Sequence, residues 1–364
     1  GLRTEMESGP QTVEIAEGAF CKIDVGGQYD EDAVLARTDL TFTGAGTLVQ
    51  KAYGSTTLDM RLKVFPGCTL VVDCGFATEI AGAGWVLDGE AGGVMKVTGE
   101  NRFTGPATIR DGAVFEAQAL GAAGETSPLG LGSQIVLSGS GVLKYVGAGE
   151  TTDRAVTLGG SGILAQCGAG PVVFAGAATS TSSSGTLVLS NDTEVAAEYA
   201  GAISNGTQPL AIRKTGAGNW TLSGVNTTTG ATTVDGGTLT LAPSGELASS
   251  VVTANAGTTF AVAGDGEARA KSLGGLVAAD GIVTVGPGVT LTVGSLTQSG
   301  SKAIDIRPDD GATVRITGLS GLAPDWVTVN GKSAKVDLDG NLVARGTPDA
   351  QIPARGGVIP NAAG

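Results

Sequence analysis

Residues 210–241 read LAIRKTGAGNWTLSGVNTTTGATTVDGGTLTL, and this stretch is the strongest indication of the fold in the sequence. Short segments in which apolar and polar residues alternate, as around Trp220 and Leu239, are separated by turns rich in Gly and Thr. A period of two is typical of half-buried strands, and Gly clusters between such strands are typical of turns. The stretch therefore predicts one supersecondary unit made of short strands and tight corners.

The same unit occurs again in residues 96–117, which read KVTGENRFTGPATIRDGAVFEA and align without a gap. The alignment pairs Gly99 with Gly224, Asn101 with Asn226, Thr104 with Thr229, Gly105 with Gly230, Thr108 with Thr233, Gly112 with Gly237 and Val114 with Leu239. Because such a unit cannot bury its apolar side alone, neighbouring units must stack and share one core. We predict that the structural positions of the repeat are Asn101, Gly105, Gly112, Trp220, Asn226, Gly230 and Gly237.

The polar residues of the unit suggest two roles. The side chains of Asn101 and Asn226 either tolerate a left-handed corner or bond to the backbone of a neighbouring coil. Thr227–Thr229, Thr232, Thr233, Thr238 and Thr240 are expected on an outer face. Such threonines are either β-prone polar residues or a flat hydrogen-bonding surface for glycans or another chain.

Residues 210–241 resemble the passenger-associated transport repeat, also called the autotransporter-associated β-strand repeat. Its motif K-x-G-x-G-x-W-T-L-S-G-x-N-T is matched by Lys214, Gly216, Gly218, Trp220–Gly224 and Asn226–Thr227. Thr228 stands at a position that is usually aromatic. Residues 127–165 and 326–345 resemble other segments of such proteins, so the resemblance covers residues 92–345. It implies a secreted, surface-exposed bacterial β-helix.

The strand and turn pattern predicts an all-β fold, a single-stranded right-handed parallel β-helix with a C-terminal antiparallel hairpin cap. A pair of β-sandwiches is the alternative. Asn330–Gly331 and Asp339–Gly340 are typical of hairpin turns. Residues 114–124 are the one helix candidate. We expect an N-terminal β-rich or capping region (1–91), the β-helix (92–325), the β-meander cap (326–345) and a flexible Pro-, Gly- and Ala-rich tail (346–364).

Composition limits the partners. The net charge is −13, His is absent, and no run of Lys or Arg exists, so nucleic-acid binding is not expected. No stretch of about 18 apolar residues predicts a membrane span. The chain begins with Gly1, from which we expect that an N-terminal secretion signal is removed. The expected location is secreted or at the cell surface.

The four cysteines Cys21, Cys68, Cys74 and Cys167 allow two disulfides in an exported protein. Cys68 and Cys74 flank a strand-like segment, so their pairing would require a tight reversal or adjacent coils. Their spacing does not suit a zinc site, and the chain has no His to complete one. The connectivity stays open.

Few residues point to catalysis. Paired carboxylates could act on glycans, and the candidates are Asp309–Asp310, Asp337 with Asp339, and Asp30–Glu31–Asp32. Each group lies in a turn-like segment, where acids are ordinarily solvated. Asp153–Arg154 is expected to be a local ion pair at a corner. Without His no Ser–His or Cys–His dyad can form, and no cofactor or metal is predicted.

The sequence favours a non-enzymatic extracellular or cell-surface structural protein, a stiff rod that displays a contact surface. It would self-associate as a subunit of a surface assembly or filament, or contact other cell-surface components or glycans. The alternatives are an adhesin-like passenger that binds host or glycan surfaces and, in a different class, a polysaccharide-active β-helix enzyme.

Overall fold

A computed structural model describes residues 104–301 without a break, residues 304–309 and 311–317, and elsewhere the strands alone. The chain divides into two compact units, Gly1–Gly185 and Thr186–Gly364. The described residues are all-β, and the named strands stack in parallel as a β-solenoid. The predicted all-β parallel solenoid is confirmed.

The strands of the first unit are short and separated by corners. They are β1 Gln11–Ile15, β2 Phe20–Val25, β3 Leu35–Gly44, β4 Thr47–Ala52, β5 Ser55–Thr56, β6 Leu58–Val64, β7 Thr69–Cys74, β8 Glu79–Ile80, β9 Trp85–Gly89, β10 Val94–Val97, β11 Ala107–Ile109, β12 Val114–Ala117, β13 Gln134–Leu137, β14 Gly141–Tyr145, β15 Ala148–Thr152, β16 Ala155–Leu158, β17 Ser161–Gln166, β18 Gly170–Phe174 and β19 Ala178–Ser180.

These strands stack into parallel sheets, and consecutive strands of the chain lie in different sheets. Sheet I has the order β1-β3-β6-β9-β11-β13-β16-β19, sheet II the order β2-β4-β7-β10-β12-β14-β17, and sheet III contains β15 and β18; β5 pairs with β8.

The second unit is built in the same way. Its strands are β20 Thr186–Asn191, β21 Ala197–Tyr199, β22 Ala211–Thr215, β23 Asn219–Leu222, β24 Val225–Asn226, β25 Thr232–Val234, β26 Thr238–Leu241, β27 Glu246–Leu247, β28 Val252–Asn255, β29 Thr259–Val262, β30 Arg269–Leu273, β31 Leu276–Ala279, β32 Ile282–Val285, β33 Val289–Val293, β34 Leu296–Gln298, β35 Ile304–Pro308, β36 Thr313–Ile316, β37 Leu319–Ser320, β38 Val327–Val329, β39 Lys335–Leu338, β40 Leu342–Arg345 and β41 Ala350–Ile352.

Three sheets again alternate along the chain. Sheet IV has the order β20-β22-β25-β28-β31-β34-β37, sheet V the order β21-β23-β26-β29-β32-β35-β38-β41, and sheet VI the order β30-β33-β36-β39-β40; β24 pairs with β27.

The core of each unit consists of side-chain columns that run from strand to strand. In sheet V the register places Trp220 beside Leu239, Leu239 beside Phe260, and Phe260 beside Val283, and all four are fully buried. Because parallel pairing keeps like positions in register, every coil adds its apolar residue to the same column. Each buried side chain of this kind stabilises the fold by about 1.5–3 kcal/mol.

Two glycines that the sequence alignment pairs both lie at corners between consecutive strands, Gly112 between β11 and β12 and Gly237 between β25 and β26. Gly112 and Gly237 both have left-handed backbone angles, with φ of 76° and 57°. A side chain there would be strained, because only Gly adopts this region without cost. A Cβ at Gly237 would also clash with the carbonyl oxygen of Gly218 in the preceding coil. The repeat thus uses Gly where the chain turns sharply between two strands.

Two local predictions fare less well. The helix predicted over residues 114–124 is wrong, since Val114–Ala117 is a strand and residues 118–124 follow as a loop. Packing of this loop against later residues overrides its modest helix propensity. The C-terminal hairpin cap is not confirmed: β39 pairs antiparallel with β40, whereas β38 pairs with β35 and β41. Asn330–Gly331 and Asp339–Gly340 lie outside the described residues.

Candidate functional site

Buried polar side chains line the corners of the coils, and Asn226 is the clearest example. Its Oδ1 accepts a hydrogen bond from the Ile203 backbone N–H at 3.1 Å. Its Nδ2 donates to the carbonyls of Gly224 and Glu246, both at 2.9 Å. The side chain is buried and lies in the extended strand β24. It therefore joins the coils before and after its own through their backbones.

Other buried amide side chains also bond to backbone groups at the corners. Asn191 donates from Nδ2 to the carbonyls of Val195 and Asn219 at 2.8 and 3.0 Å, and its Oδ1 accepts from the Thr193 N–H. In the first unit, Gln166 donates to the Gly170 carbonyl at 2.8 Å. Since an unpaired buried backbone group costs about 1–3 kcal/mol, these side chains stabilise corners where the strand ladder stops.

Lys214, the Lys of the repeat motif, is a buried cation in the second unit. Its Nζ donates to the carbonyls of Thr215, Gly216 and Gly236 at 2.7, 2.8 and 3.0 Å. Burial lowers the pKa of Lys214 from 10.5 to about 8, against an opposing effect of the Asp192 carboxylate. The ammonium group thus caps carbonyls from two successive coils at one corner.

Lys271 is a second buried lysine, at the start of sheet VI. Its Nζ donates to the Gly245 carbonyl and forms an ion pair with the Glu246 carboxylate at 3.0 Å. Half of the Glu246 side chain is exposed, whereas that of Lys271 is 3% exposed. Lys271 thereby links β30 to β27 in the coil before it.

Arg154 is fully buried in the first unit and organises the loop of residues 118–133. Its Nε donates to the carbonyls of Leu120 and Gly121, and its Nη1 to that of Gly132. Its Nη2 donates to several more groups of the loop, the carbonyls of Ala122, Glu125 and Gly130 and the Ser127 hydroxyl. One guanidinium group therefore binds carbonyls along most of the loop, from Leu120 to Gly132.

The neighbours of Arg154 hold the same loop. The Glu150 carboxylate accepts from the N–H groups of Leu120 and Gly121 at 2.7 and 3.0 Å. Asp153 Oδ1 accepts from the Ala123 N–H at 2.7 Å. The predicted local ion pair between Asp153 and Arg154 is wrong, because each side chain bonds to backbone groups of the loop instead.

The threonine prediction is partly wrong. Thr228 and Thr232 are fully buried rather than on the outer face. Thr228 donates to the Leu210 carbonyl and to Asn205 Oδ1, at the position that is usually aromatic. Burial alternates without a break from Trp220 to Val234, and Thr228 and Thr232 are buried because they lie in phase with Trp220 and Leu222.

Strands β23, β26, β29 and β32 of sheet V nevertheless carry an outward threonine array. We call this surface the outer threonine face, and its members are Asn219, Thr221, Thr238, Thr240, Thr259, Ala261, Ile282 and Thr284. Asn219 is exposed and the other members are half-buried. The Thr240 hydroxyl donates to Asn219 Oδ1 at 3.0 Å.

The remaining predicted sites are scattered. Gly105 is half-buried, and a Cβ at Gly230 would clash with the Leu210 carbonyl oxygen of the preceding coil. Asn101, Asp30–Glu31–Asp32, Asp310 and Asp339 lie outside the described residues. Asp309 is exposed and donates its N–H to the Val285 carbonyl.

The cysteines are only partly placed. Cys21 and Cys74 lie in β2 and β7, with β4 between them, so at least about 9.6 Å separates their backbones. A disulfide joins Cα atoms about 4.4–6.8 Å apart, so this pair would require local distortion. Cys167 is exposed directly after β17, and Cys68 lies outside the described residues. The disulfides stay a prediction.

Sequence reasoning missed the hydrogen bonds by which residues 150–154 hold the loop of residues 118–133. Arg154, Glu150 and Thr152 contact backbone groups about 30 positions earlier, and no local pattern signals such contacts. The only available signal was a charged pair inside a stretch that is otherwise poor in charge. Within the described part of the chain, no cluster of three or more His, Cys, Asp or Glu side chains is placed to hold a metal ion. Nor is any helix there long and apolar enough to cross a bilayer.

Comparison with known proteins agrees with this architecture. Residues 212–241, which contain Lys214, Trp220 and Asn226, match the family model of the passenger-associated-transport-repeat. This segment of the chain is thus similar to that repeat. A 217-residue segment, 58% of the chain, is 35% identical to the adhesin BmaC autotransporter of Brucella suis biovar 1 (strain 1330). The match spans only 6% of the length of that relative, and no solved structure matches the chain.

Proposed function

We propose that this chain is part of a secreted or cell-surface, adhesin-like passenger and that it acts without catalysis. In this proposal the stacked coils are a stiff spacer, and their outer faces and corner loops are the contact surface. The relative named above is an adhesin and an autotransporter, which supports the location and the role. The passenger-associated transport repeat supports the same assignment.

The observation that carries the proposal is the use of the buried cations. Arg154 and Lys214 are buried cations whose chemistry could serve catalysis, and both donate to backbone carbonyls. Lys271 does the same at the Gly245 carbonyl. A catalytic cation must instead meet a substrate in a cleft. These buried polar groups thus favour a structural role at the corners of the coils over a catalytic one.

A bead-adhesion assay tests the proposal. Beads coated with the full chain should bind cultured epithelial cells saturably, and soluble chain should compete with them. The matched control is the same chain with Trp220→Ala, which disrupts a core column while leaving the outer residues unchanged in sequence. Wild-type binding no higher than that of albumin-coated beads contradicts the adhesin role. Binding that survives unfolding in the Trp220 variant contradicts the role of the folded surface.

A subunit of a surface filament remains the second use within the same class. An uncharged outer face such as the outer threonine face favours lateral contact, because no like charges oppose it. Negative-stain electron microscopy over a range of concentrations distinguishes the two uses. Regular filaments support the assembly, and isolated particles at every concentration exclude it under those conditions.

A further inference from the structure

The outer threonine face is a regular two-column array. The register pairs Asn219 with Thr238, Thr238 with Thr259, and Thr259 with Ile282 in one column. The second column runs through Thr221, Thr240, Ala261 and Thr284. All four strands pair in parallel without a register shift, so the two columns stay aligned.

Strand geometry fixes the spacing of the array. Successive members of a column lie about 4.8 Å apart, because that is the distance between paired strands. Neighbours within a strand are two residues apart, or about 6.6 Å. The oxygen repeats on a prism face of hexagonal ice are of similar size in both directions. The face therefore presents hydroxyl and methyl groups on a grid close to that of an ice surface.

The chemistry of the face selects among ligands. None of its eight members is charged. At one end of the array the neighbours in register, Asp305 and Arg307, form an ion pair with each other at 2.6 Å. At the other end Glu198, the neighbour of Thr221, accepts a hydrogen bond from the Ser223 hydroxyl. Anion or cation recognition therefore lacks the charges that it needs. The eight positions also include no aromatic side chain, the platform on which flat sugar rings stack. The ligand class that fits the face is ordered water. Each Thr offers a hydroxyl group that can bond to water, beside a methyl group that water surrounds without bonding.

We propose that the outer threonine face binds the surface of ice. The methyl groups and the Ala261 and Ile282 side chains would hold surface water in a cage-like order, and the threonine hydroxyls would anchor that order to the sheet. Because the parallel ladder holds the positions rigidly, little side-chain freedom is lost on binding. This inference does not depend on the adhesin role.

Nanolitre osmometry on the purified full chain tests the proposal. Wild-type protein should shape ice crystals into facets and produce a gap between melting and freezing temperatures. Thr240→Tyr places a bulky ring in the middle of the array and should abolish both effects. The matched control, Thr233→Tyr, alters an outward, half-buried threonine in β25 of sheet IV and should retain them. Circular dichroism and the melting temperature verify that both variants are folded.

Three results would overturn the proposal. The first is wild-type protein that leaves crystals as rounded as albumin does at the same molar concentration. The second is an equal loss in the Thr240 and Thr233 variants. The third concerns Thr259→Lys, which introduces a charge into the array and serves in place of Thr240→Tyr should that variant fail to fold. If Thr259→Lys keeps the wild-type crystal shape, the array is not the binding face.

Discussion

Arg154 in the first unit and Lys214 in the second are both buried cations, yet they support two different kinds of corner. Lys214 bonds to carbonyls of the next two residues and of Gly236, one coil further along. Arg154 reaches back 22 to 34 positions to a loop that the strands themselves do not hold. The repeat thus closes its corner with its own residues, whereas an inserted loop requires support from the following coil.

The two corners should respond differently when their buried cation is removed. Removing a cation leaves buried carbonyls without a donor, and each such group costs about 1–3 kcal/mol. Around Lys214 these carbonyls belong to one corner, and strands on both sides remain paired. Around Arg154 they belong to six residues of a sixteen-residue loop, whose conformation would be lost as a unit. Substitutions at the two corners, and at contacts between strands, should therefore differ in their effect on stability.

Arg154→Met should lower the free energy of unfolding by about 4 kcal/mol, because six loop carbonyls lose a hydrogen bond from the guanidinium group. The carbonyls of Gly121, Ala122 and Gly130 keep a second donor. Hydrogen exchange followed by mass spectrometry should show the loss of protection in residues 118–133 first. Arg154→Lys is the matched control, and it should recover part of the stability since one ammonium group reaches fewer carbonyls. Unchanged exchange in residues 118–133 would show that Arg154 does not hold the loop.

Asn226→Ala should lower the free energy of unfolding by about 2 kcal/mol, because it removes three hydrogen bonds, two of which join adjacent coils. Urea denaturation measures the effect. Thr227→Ala alters the next residue, which is exposed, and should change stability by less than about 0.5 kcal/mol. Equal effects from both substitutions would contradict a special role for the Asn side chain.

Lys214 should make stability rise with pH. Its pKa is about 8 in the folded chain and near 10.5 when unfolded, so between these values the unfolded state binds more protons. Stability from this group is therefore flat below about pH 8 and increases from there towards pH 10. The difference between wild type and Lys214→Met, measured by urea denaturation at each pH, isolates this contribution. A pH-independent difference would mean that Lys214 does not titrate in this range.

Glu116→Gln should have the smallest effect, about 0.5 kcal/mol, because the ion pairs lie on an outer face. Glu116 pairs with Lys96 at 3.1 Å and with Lys144 at 2.9 Å. Burial opposes ionisation of Glu116, but the two lysines outweigh it and lower its pKa. The loss in the melting temperature should disappear in 1 M salt, since salt screens exposed charges. An effect as large as that of Asn226→Ala would contradict this ranking.

Sequence reasoning captures what neighbouring residues determine. Alternation of apolar and polar residues in Thr238–Leu241 and in Asn219–Leu222 is visible in the chain, and both are strands of the solenoid. The paired positions Gly112 and Gly237 both adopt positive φ. Stacking follows because a thin coil has no other way to bury its apolar side.

What escapes the sequence depends on contacts between distant residues. Arg154 and Asp153 look like a local pair, yet their partners lie about 30 positions earlier. Thr228 looks like an outward threonine, yet it is buried because Asn205 and the Leu210 carbonyl accept its hydroxyl. A helix over residues 114–124 is plausible locally, but the hydrogen bonds that hold the loop of residues 118–133 override it. The loop contacts of Asp153 and Arg154 fall outside the strand period, whereas Thr228 follows it, because burial alternates without a break from Trp220 to Val234.

The loop of residues 118–133 also bears on how such chains diversify. It leaves sheet II after β12 and enters sheet I at β13, which pairs in register with β11. Sixteen residues are therefore inserted without shifting a single ladder partner, and doubling such a loop would cost only about 0.6 kcal/mol in closure entropy. A corner between two strands therefore tolerates inserted residues. A different loop could therefore stand at this corner while the strand register of the coils stays the same.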